Sequence, residues 1–141
     1  MNNINLIPIN KSHITLAKEL NLEFNPLEKF NNNKFIEFII NIPNNINIYV
    51  LKDKDTIIGC GTLMIEKKII HNFSNVAHIE DVFILPKFRK KGYGKILILK
   101  LNEIAVNNNC YKVILNCKTE LIDFYLKCGF ENKNIQMSKY F

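Results

Sequence analysis

No run in this chain of 141 residues approaches the roughly 18–20 apolar positions that a membrane-spanning helix requires. The opening Met1-Asn2-Asn3-Ile4-Asn5 has no basic leader followed by an apolar block, so no secretory signal is expected and the cytoplasm is the expected compartment. No two cysteines are spaced C-x-x-C. Cys60, Cys110, Cys117 and Cys128 also lack histidines at zinc-like intervals, so no metal is expected. Three of them lie in or beside apolar runs and read as reduced thiols packing as small hydrophobes. A catalytic cysteine would need a neighbouring base, and none is evident. Repeats and linkers are absent too, so residues 1–141 read as a single domain with one core.

Acid is missing from one stretch. Between Pro86 and Lys100 stand Lys87, Arg89, Lys90, Lys91, Lys95 and Lys100 with no carboxylate. They account for the whole net charge of +6, since the other 13 basic residues are matched by 13 acidic ones. A nucleic-acid or membrane binder would spread such charge over a face or tail; concentration on one loop favours a compact phosphate ligand. Stacking aromatics there are few (Phe88 and Tyr93), which weakens a single-strand platform.

Around this loop the hydrophobic period predicts β-α-α-β-β-β-α-β-α-β. A first strand covers 4–9, at a sheet edge because of Pro8. Ser12 caps a helix to about Asn21, and a second helical region ends before Pro43. Strands over 46–51 and 56–66 form a hairpin, and 67–77 is a loop. A central strand over 79–85 leads through the basic loop into a helix over 94–107, apolar nearly all round at its start and therefore expected to be buried. A strand over 111–117, a helix from Thr119 to about Lys127 stopped by Gly129, and a last strand over 135–140 complete the chain. The fold class is α/β with a largely antiparallel central sheet, the 79–85 and 111–117 strands running parallel.

The basic loop, Arg89-Lys90-Lys91-Gly92-Tyr93-Gly94, has the form R/Q-x-x-G-x-G/A. It follows a buried strand and enters a helix directly. Glycines permit close approach there, and backbone N–H groups with the helix dipole favour a pyrophosphate. Downstream stands Phe124-Tyr125-Leu126-Lys127-Cys128-Gly129-Phe130. Together these segments resemble the GNAT family of N-acetyltransferases. Four segments, one of them already named, narrow the resemblance to that family's glucosamine-6-phosphate N-acetyltransferase branch. They are Ile65-Glu66-Lys67-Lys68-Ile69-Ile70-His71, His78-Ile79-Glu80-Asp81-Val82, Cys110-Tyr111-Lys112-Val113-Ile114-Leu115 and the Phe124 to Phe130 segment. The likeness covers about residues 46–141 well and the first 45 poorly.

The resemblance implies the GNAT fold, with acetyl-CoA as co-substrate where two parallel strands splay apart. It implies acetyl transfer to the amine of glucosamine 6-phosphate by direct attack, a step towards UDP-N-acetylglucosamine, in a homodimer with the C-terminal strand at its interface. Arg89, Lys90, Lys91, Gly92, Tyr93, Gly94 and Lys95 would hold the CoA pyrophosphate. Edge groups of Val82, Phe83 and Ile84 would hold the pantetheine as an added strand would. Tyr125 would give a proton to the departing thiolate, since a thiol near about 8.5 and a phenol near about 10 are close enough to share a hydrogen bond. By similarity Glu80 and Asp81 contact the sugar, with Asp81 orienting its amine, and Lys68, His71, Tyr111 and Lys112 line the sugar-phosphate pocket. Where many relatives carry a CoA-contacting Asn, this chain has Leu121, which leaves Asn116 as the nearest amide. Where relatives end on an arginine that reaches the sugar phosphate, it has Lys139-Tyr140-Phe141, with Lys139 the candidate substitute. His13 and His78 are assigned to structure or solvent. The basic Lys67, Lys68, His71 and Lys112 favour an anionic acceptor over a polyamine. A different amine acceptor on the same fold, and a basic domain that binds nucleic acid or lipid without catalysis, are the rival readings.

Overall fold

The computed structural model describes residues 3–141. Five strands, β1 (Ile4–Pro8), β2 (Ile46–Asp53), β3 (Thr56–Lys67), β4 (Asn75–Ile84) and β5 (Cys110–Leu115), lie side by side in chain order. All neighbours are antiparallel except β4 and β5, which run parallel as expected of strands joined through a helix. Pro8 sits at the end of the edge strand β1, where its missing N–H breaks no inner ladder.

Helices α1 (Ile14–Phe24) and α2 (Asn32–Ile40) follow β1. The turn Lys11–His13 leads into α1, which has no side-chain cap of its own, and the residue that caps this turn is Asn10 rather than Ser12. Its side chain accepts from the Ser12 N–H, and His13 Nδ1 accepts from the Asn10 N–H in return. His13 is accordingly buried and structural. The expected loop over 67–77 is shorter, covering 68–74: β3 runs to Lys67 and β4 begins at Asn75. Between them α3 (Ile70–Phe73) is a single turn, with His71, Asn72 and Phe73 all left-handed.

Helix α4 (Tyr93–Asn107) packs across the sheet through Leu97, Ile98, Leu101 and Ala105, all fully buried. Leu99 departs from the expectation of all-round burial, being 46% exposed. Each buried Leu or Ile contributes about 1.5–3 kcal/mol. That outweighs the ~1 kcal/mol a missing N-cap costs, so α4 stands without a side-chain cap at Gly92. The short α5 (Ile122–Lys127) closes this core with Tyr125 and Cys128. Leu16 of α1, with Val50, Cys60 and Phe83, fills a smaller core.

The expected last strand over 135–140 does not form. Residues 130–141 have neither helix nor strand, and Ile135, Met137 and Tyr140 are almost wholly exposed. Ile135 and Met137 alternate with polar residues as in a strand, but no strand among the described residues pairs with them. All four thiols are free. Among the described residues no helix is long and apolar enough to cross a membrane, and no cluster of His, Cys, Asp or Glu could hold a metal ion.

Candidate active site

The site is built on an irregularity in β4. Cys60 pairs with Phe83 and Thr62 with Glu80, so Gly61 alone faces both Asp81 and Val82. Asp81 is the extra residue and takes a left-handed φ of 50°. This bulge changes the side-chain parity. Ile79, Val82 and Ile84 all pack on the α4 side, while Phe83 turns into the smaller core. Glu80 and Asp81 are both left exposed. β3 matches the bulge with small residues. A Cβ at Gly59 would overlap the Phe83 carbonyl oxygen, and one at Gly61 would come within 3.1 Å of Leu101 Cδ1.

Just beyond Ile79↔Leu115 the parallel pairing stops, because β5 ends at Leu115. From Glu80 to Ile84 that side of β4 has no strand beside it. The Leu85 N–H donates to the Ile58 carbonyl, so by alternation Phe83 also turns its backbone to β3 while Val82 and Ile84 turn theirs to the gap. Of the three expected pantetheine contacts, Val82 and Ile84 therefore face the opening and Phe83 does not. The Ile84 carbonyl there accepts from Arg89 Nε at 2.9 Å. Arg89 also pairs with Glu23 of α1 at 3.2 Å and lies over the Phe83 ring. It braces the gap's rim, whereas the exposed Lys90, Lys91 and Lys95 have no carboxylate partner among the described residues.

Gly92 is left-handed at φ 87°, with open space where a Cβ would lie. The first intrahelical bond of α4 runs from the Ile96 N–H to the Gly92 carbonyl, so the amides of Tyr93, Gly94 and Lys95 point out of the helix start. Together with the lysines they form a cradle that suits an anion. The Tyr93 side chain turns elsewhere, donating to Asp53 Oδ2.

Tyr125, on α5, packs in the same core as Val82 and Ile84 of the open edge. It is 9% exposed, held edge-on between the Phe124 and Phe130 rings at 4.9 and 5.9 Å, and its hydroxyl has no hydrogen-bond partner among the described residues. Burial, with the neighbouring Cys117 and Cys128 thiols, pushes its phenol up to about 12. Such a phenol stays protonated and can only donate toward an incoming anion. Asn116, just after β5, is exposed at the same opening.

The other residues expected to bind the acceptor form a separate group. The strained α3 turn lays the His71 ring on Tyr111 at 4.0 Å, and Lys112 Nζ stands 5.5 Å from the Tyr111 ring centre. Lys68 Nζ donates to Glu66 Oε1 at 2.8 Å, and His78 Nε2 meets Glu66 Oε2 at 2.7 Å. The two hydrogen bonds hold the Glu66 carboxyl below its ordinary range, and the Glu66 bond raises Lys68. Lys112 is registered with Val76, four residues before Glu80. At about 3.3 Å per residue the group lies roughly 13 Å along β4 from the acidic pair. Lys139 joins neither group; its ammonium lies 5.7 Å from the Phe141 ring in the exposed C-terminal segment. Sequence reasoning does not single out Glu66 or Asp53. The i, i+2 spacing of Glu66 and Lys68 in a strand is the available signal for the first; nothing local marks the second.

The Acetyltransferase (GNAT) family profile matches residues 15–130. The chain is 48% identical over 60% of its length to glucosamine 6-phosphate N-acetyltransferase of Arabidopsis thaliana, and 38% identical over 79% to glucosamine 6-phosphate N-acetyltransferase 1 of Dictyostelium discoideum. These matches span 57% and 74% of the two relatives, and a rice relative is spanned over 50% of its length. Among solved structures, the Arabidopsis enzyme superposes with a TM-score of 0.82 at 33% identity, over 98% of both chains. A Trypanosoma brucei acetyltransferase superposes with 0.86 at 29% identity, over 98% of this chain and 99% of that one.

Proposed function

The chain belongs to the GNAT acetyltransferase family, and on that premise we propose that it transfers the acetyl group of acetyl-CoA to the amine of glucosamine 6-phosphate. The observation that carries this reading is the conjunction at β4 of an open strand edge, an uncapped basic helix start and a buried, unpartnered phenol. Bound there, acetyl-CoA would supply a thioester whose carbonyl carbon accepts the amine and whose thiolate leaves.

Val82 and Ile84 hold the pantetheine arm with strand-like hydrogen bonds at the gap, and a β4 N–H polarises the thioester carbonyl. Amides of residues 93–95, with Lys90, Lys91 and Lys95, hold the pyrophosphate. The Tyr125 hydroxyl donates to the departing sulfur. Because the phenol is pushed up to about 12, well above a thiol near about 8.5, it stabilises the thiolate chiefly by hydrogen bonding and keeps most of its proton. Asp81, aimed out of the strand by the bulge, orients the amine, and Glu80 contacts the sugar. Lys68, His71, Tyr111 and Lys112 receive the phosphate. Direct attack needs no covalent enzyme intermediate, and the product leads towards UDP-N-acetylglucosamine.

The roughly 13 Å between the basic group and the acidic pair supports a site completed by a second copy of the chain. So does the exposed Ile135–Phe141 segment. A homodimer with that segment, and Lys139, at its interface fits both. Four free thiols accord with a reducing compartment, the cytoplasm.

Thiol release measured with acetyl-CoA and a panel of amines tests the reading. Release with glucosamine 6-phosphate well above that with glucosamine or other amines is expected. Release only with another amine would sink the acceptor. Absence of thermal stabilisation by millimolar acetyl-CoA, where a bound ligand adds about 2–4 kcal/mol, would sink the cofactor.

A further inference from the structure

We propose that Glu66 is a positioning residue for acceptor recognition, its carboxylate fixing the Lys68 ammonium beside the His71–Tyr111 stack with His78 as the brace behind it. The inference rests on the hexosamine-phosphate reading above. Glu66 is registered with Val76, and His78 with Met64, so the two side chains are diagonal neighbours on one face of the β3–β4 ladder. Each carboxylate oxygen has its own partner: Oε1 takes Lys68 at 2.8 Å and Oε2 takes His78 at 2.7 Å. An ionised carboxylate only accepts, so His78 Nε2 carries the hydrogen, and two separate donors fix the carboxylate's plane.

The pair stands at the surface, with 33% of the Lys68 side chain and 40% of the Glu66 side chain exposed. Stability is therefore a poor reason for it. Its consequence is direction. A lysine ammonium is a point charge on a flexible stem with three rotatable N–H groups. Committing one to Glu66 leaves two, and Lys68 lies within electrostatic reach of Tyr111, the ring that also carries His71 and Lys112. The negative charge of Glu66 itself opposes an anionic ligand. What the site uses is thus the shape and hydrogen bonding of the side chain, with its charge a cost to anion binding.

That separation supplies the test. Glu66→Ala, Glu66→Gln, Lys68→Ala and the Glu66→Ala/Lys68→Ala double variant are compared with the wild-type chain by steady-state kinetics, after thermal melts establish that each is folded. Glu66→Ala is expected to raise the KM for glucosamine 6-phosphate about fivefold through loss of one charge-assisted hydrogen bond, with the acetyl-CoA KM unchanged. Glu66→Gln, which can still accept from Lys68, restores the acceptor KM to the wild-type value or below it. In the Lys68→Ala background, Glu66→Ala adds nothing further. An unchanged acceptor KM in Glu66→Ala, or a Gln variant as impaired as the Ala variant, overturns the inference. Failure of the wild-type chain to acetylate glucosamine 6-phosphate overturns the substrate reading and the inference with it, and is read from that arm alone.

Discussion

The Tyr93 hydroxyl donates to the Asp53 carboxylate across 2.8 Å, tying the loop that opens α4 to the end of the β2–β3 hairpin forty residues earlier. The bond raises the Tyr93 phenol above its ordinary range. Tyr93 lies between the two glycines of the loop and stands edge-on to Phe88. With Lys90 and Gly92 both left-handed, the loop needs such an outside anchor to keep its amides converged. Tyr93→Phe keeps the ring contact and removes the tether. It is expected to raise the acetyl-CoA KM about fivefold and leave the acceptor KM alone. Initial rates at varied acetyl-CoA decide this; equal KM values would mean that the loop holds its shape without the bond.

Tyr125→Phe separates chemistry from binding. The hydroxyl makes no hydrogen bond to another described residue, so its loss should lower kcat about ten- to hundredfold while the acetyl-CoA KM changes little. The same variant has a pH signature. A phenol pushed up to about 12 in the folded chain, against about 10 unfolded, contributes stability that is fully present below about pH 10 and lost as pH rises toward 12. Urea unfolding at pH 8 and pH 11 should show the wild type losing about 1.4 kcal/mol more than Tyr125→Phe. The buried Cys60 thiol, also pushed up to about 12, titrates in both proteins and cancels. Parallel losses would remove the hydroxyl from the alkaline transition.

The apolar period alone makes the sheet, the helix after the basic loop and the parallel pairing legible, because those depend on local alternation and on connection length. Features that depend on a partner strand are not legible in that way. The Asp81 bulge is set by Gly61 opposite it, and nothing in the run Ile79–Leu85 marks the extra residue. The His78–Glu66 contact follows from the register of β4 on β3, so His78 by itself reads as structure or solvent. Ile135 and Met137 do alternate with polar residues, yet no strand among the described residues pairs with them. Arg89 illustrates a different limit. Its charge suggests the pyrophosphate, whereas an oxygen of the adjoining strand and Glu23 of α1 engage its guanidinium.

Gly59 tests how the bulge is held. It is registered with Ile84, and any Cβ there would strike the Phe83 carbonyl. The obstacle is backbone in a central ladder, so it cannot swing aside as a side chain would. Gly59→Ala is expected to cost about 3 kcal/mol, the upper part of the range for overpacking, and to weaken acetyl-CoA binding by shifting the gap at Val82 and Ile84. Chemical denaturation measures the first and ligand-induced thermal stabilisation the second. A loss under about 0.5 kcal/mol, as at an ordinary surface position, would show that β4 yields there.

Lys90 and Lys91 carry the last prediction, because they distinguish an electrostatic cradle from a structural loop. Both are exposed and neither has an acidic partner among the described residues, so reversing them removes no internal contact with a carboxylate. Lys91 does lie 5.8 Å from the Phe88 ring centre, and an exposed contact of that kind contributes about 0.5–1 kcal/mol. The Lys90→Glu/Lys91→Glu variant should therefore fold with nearly wild-type stability. It should nevertheless need about tenfold more acetyl-CoA, since two charges reverse within a Debye length of the bound pyrophosphate. Because screening weakens both the attraction in the wild type and the repulsion in the variant, the gap between their KM values should narrow from 50 mM to 500 mM salt, values on the order of those that shift the Debye length severalfold. A gap that ignores salt would place the effect in the loop's conformation, and no gap at all would leave the anion to the α4 amides and Lys95.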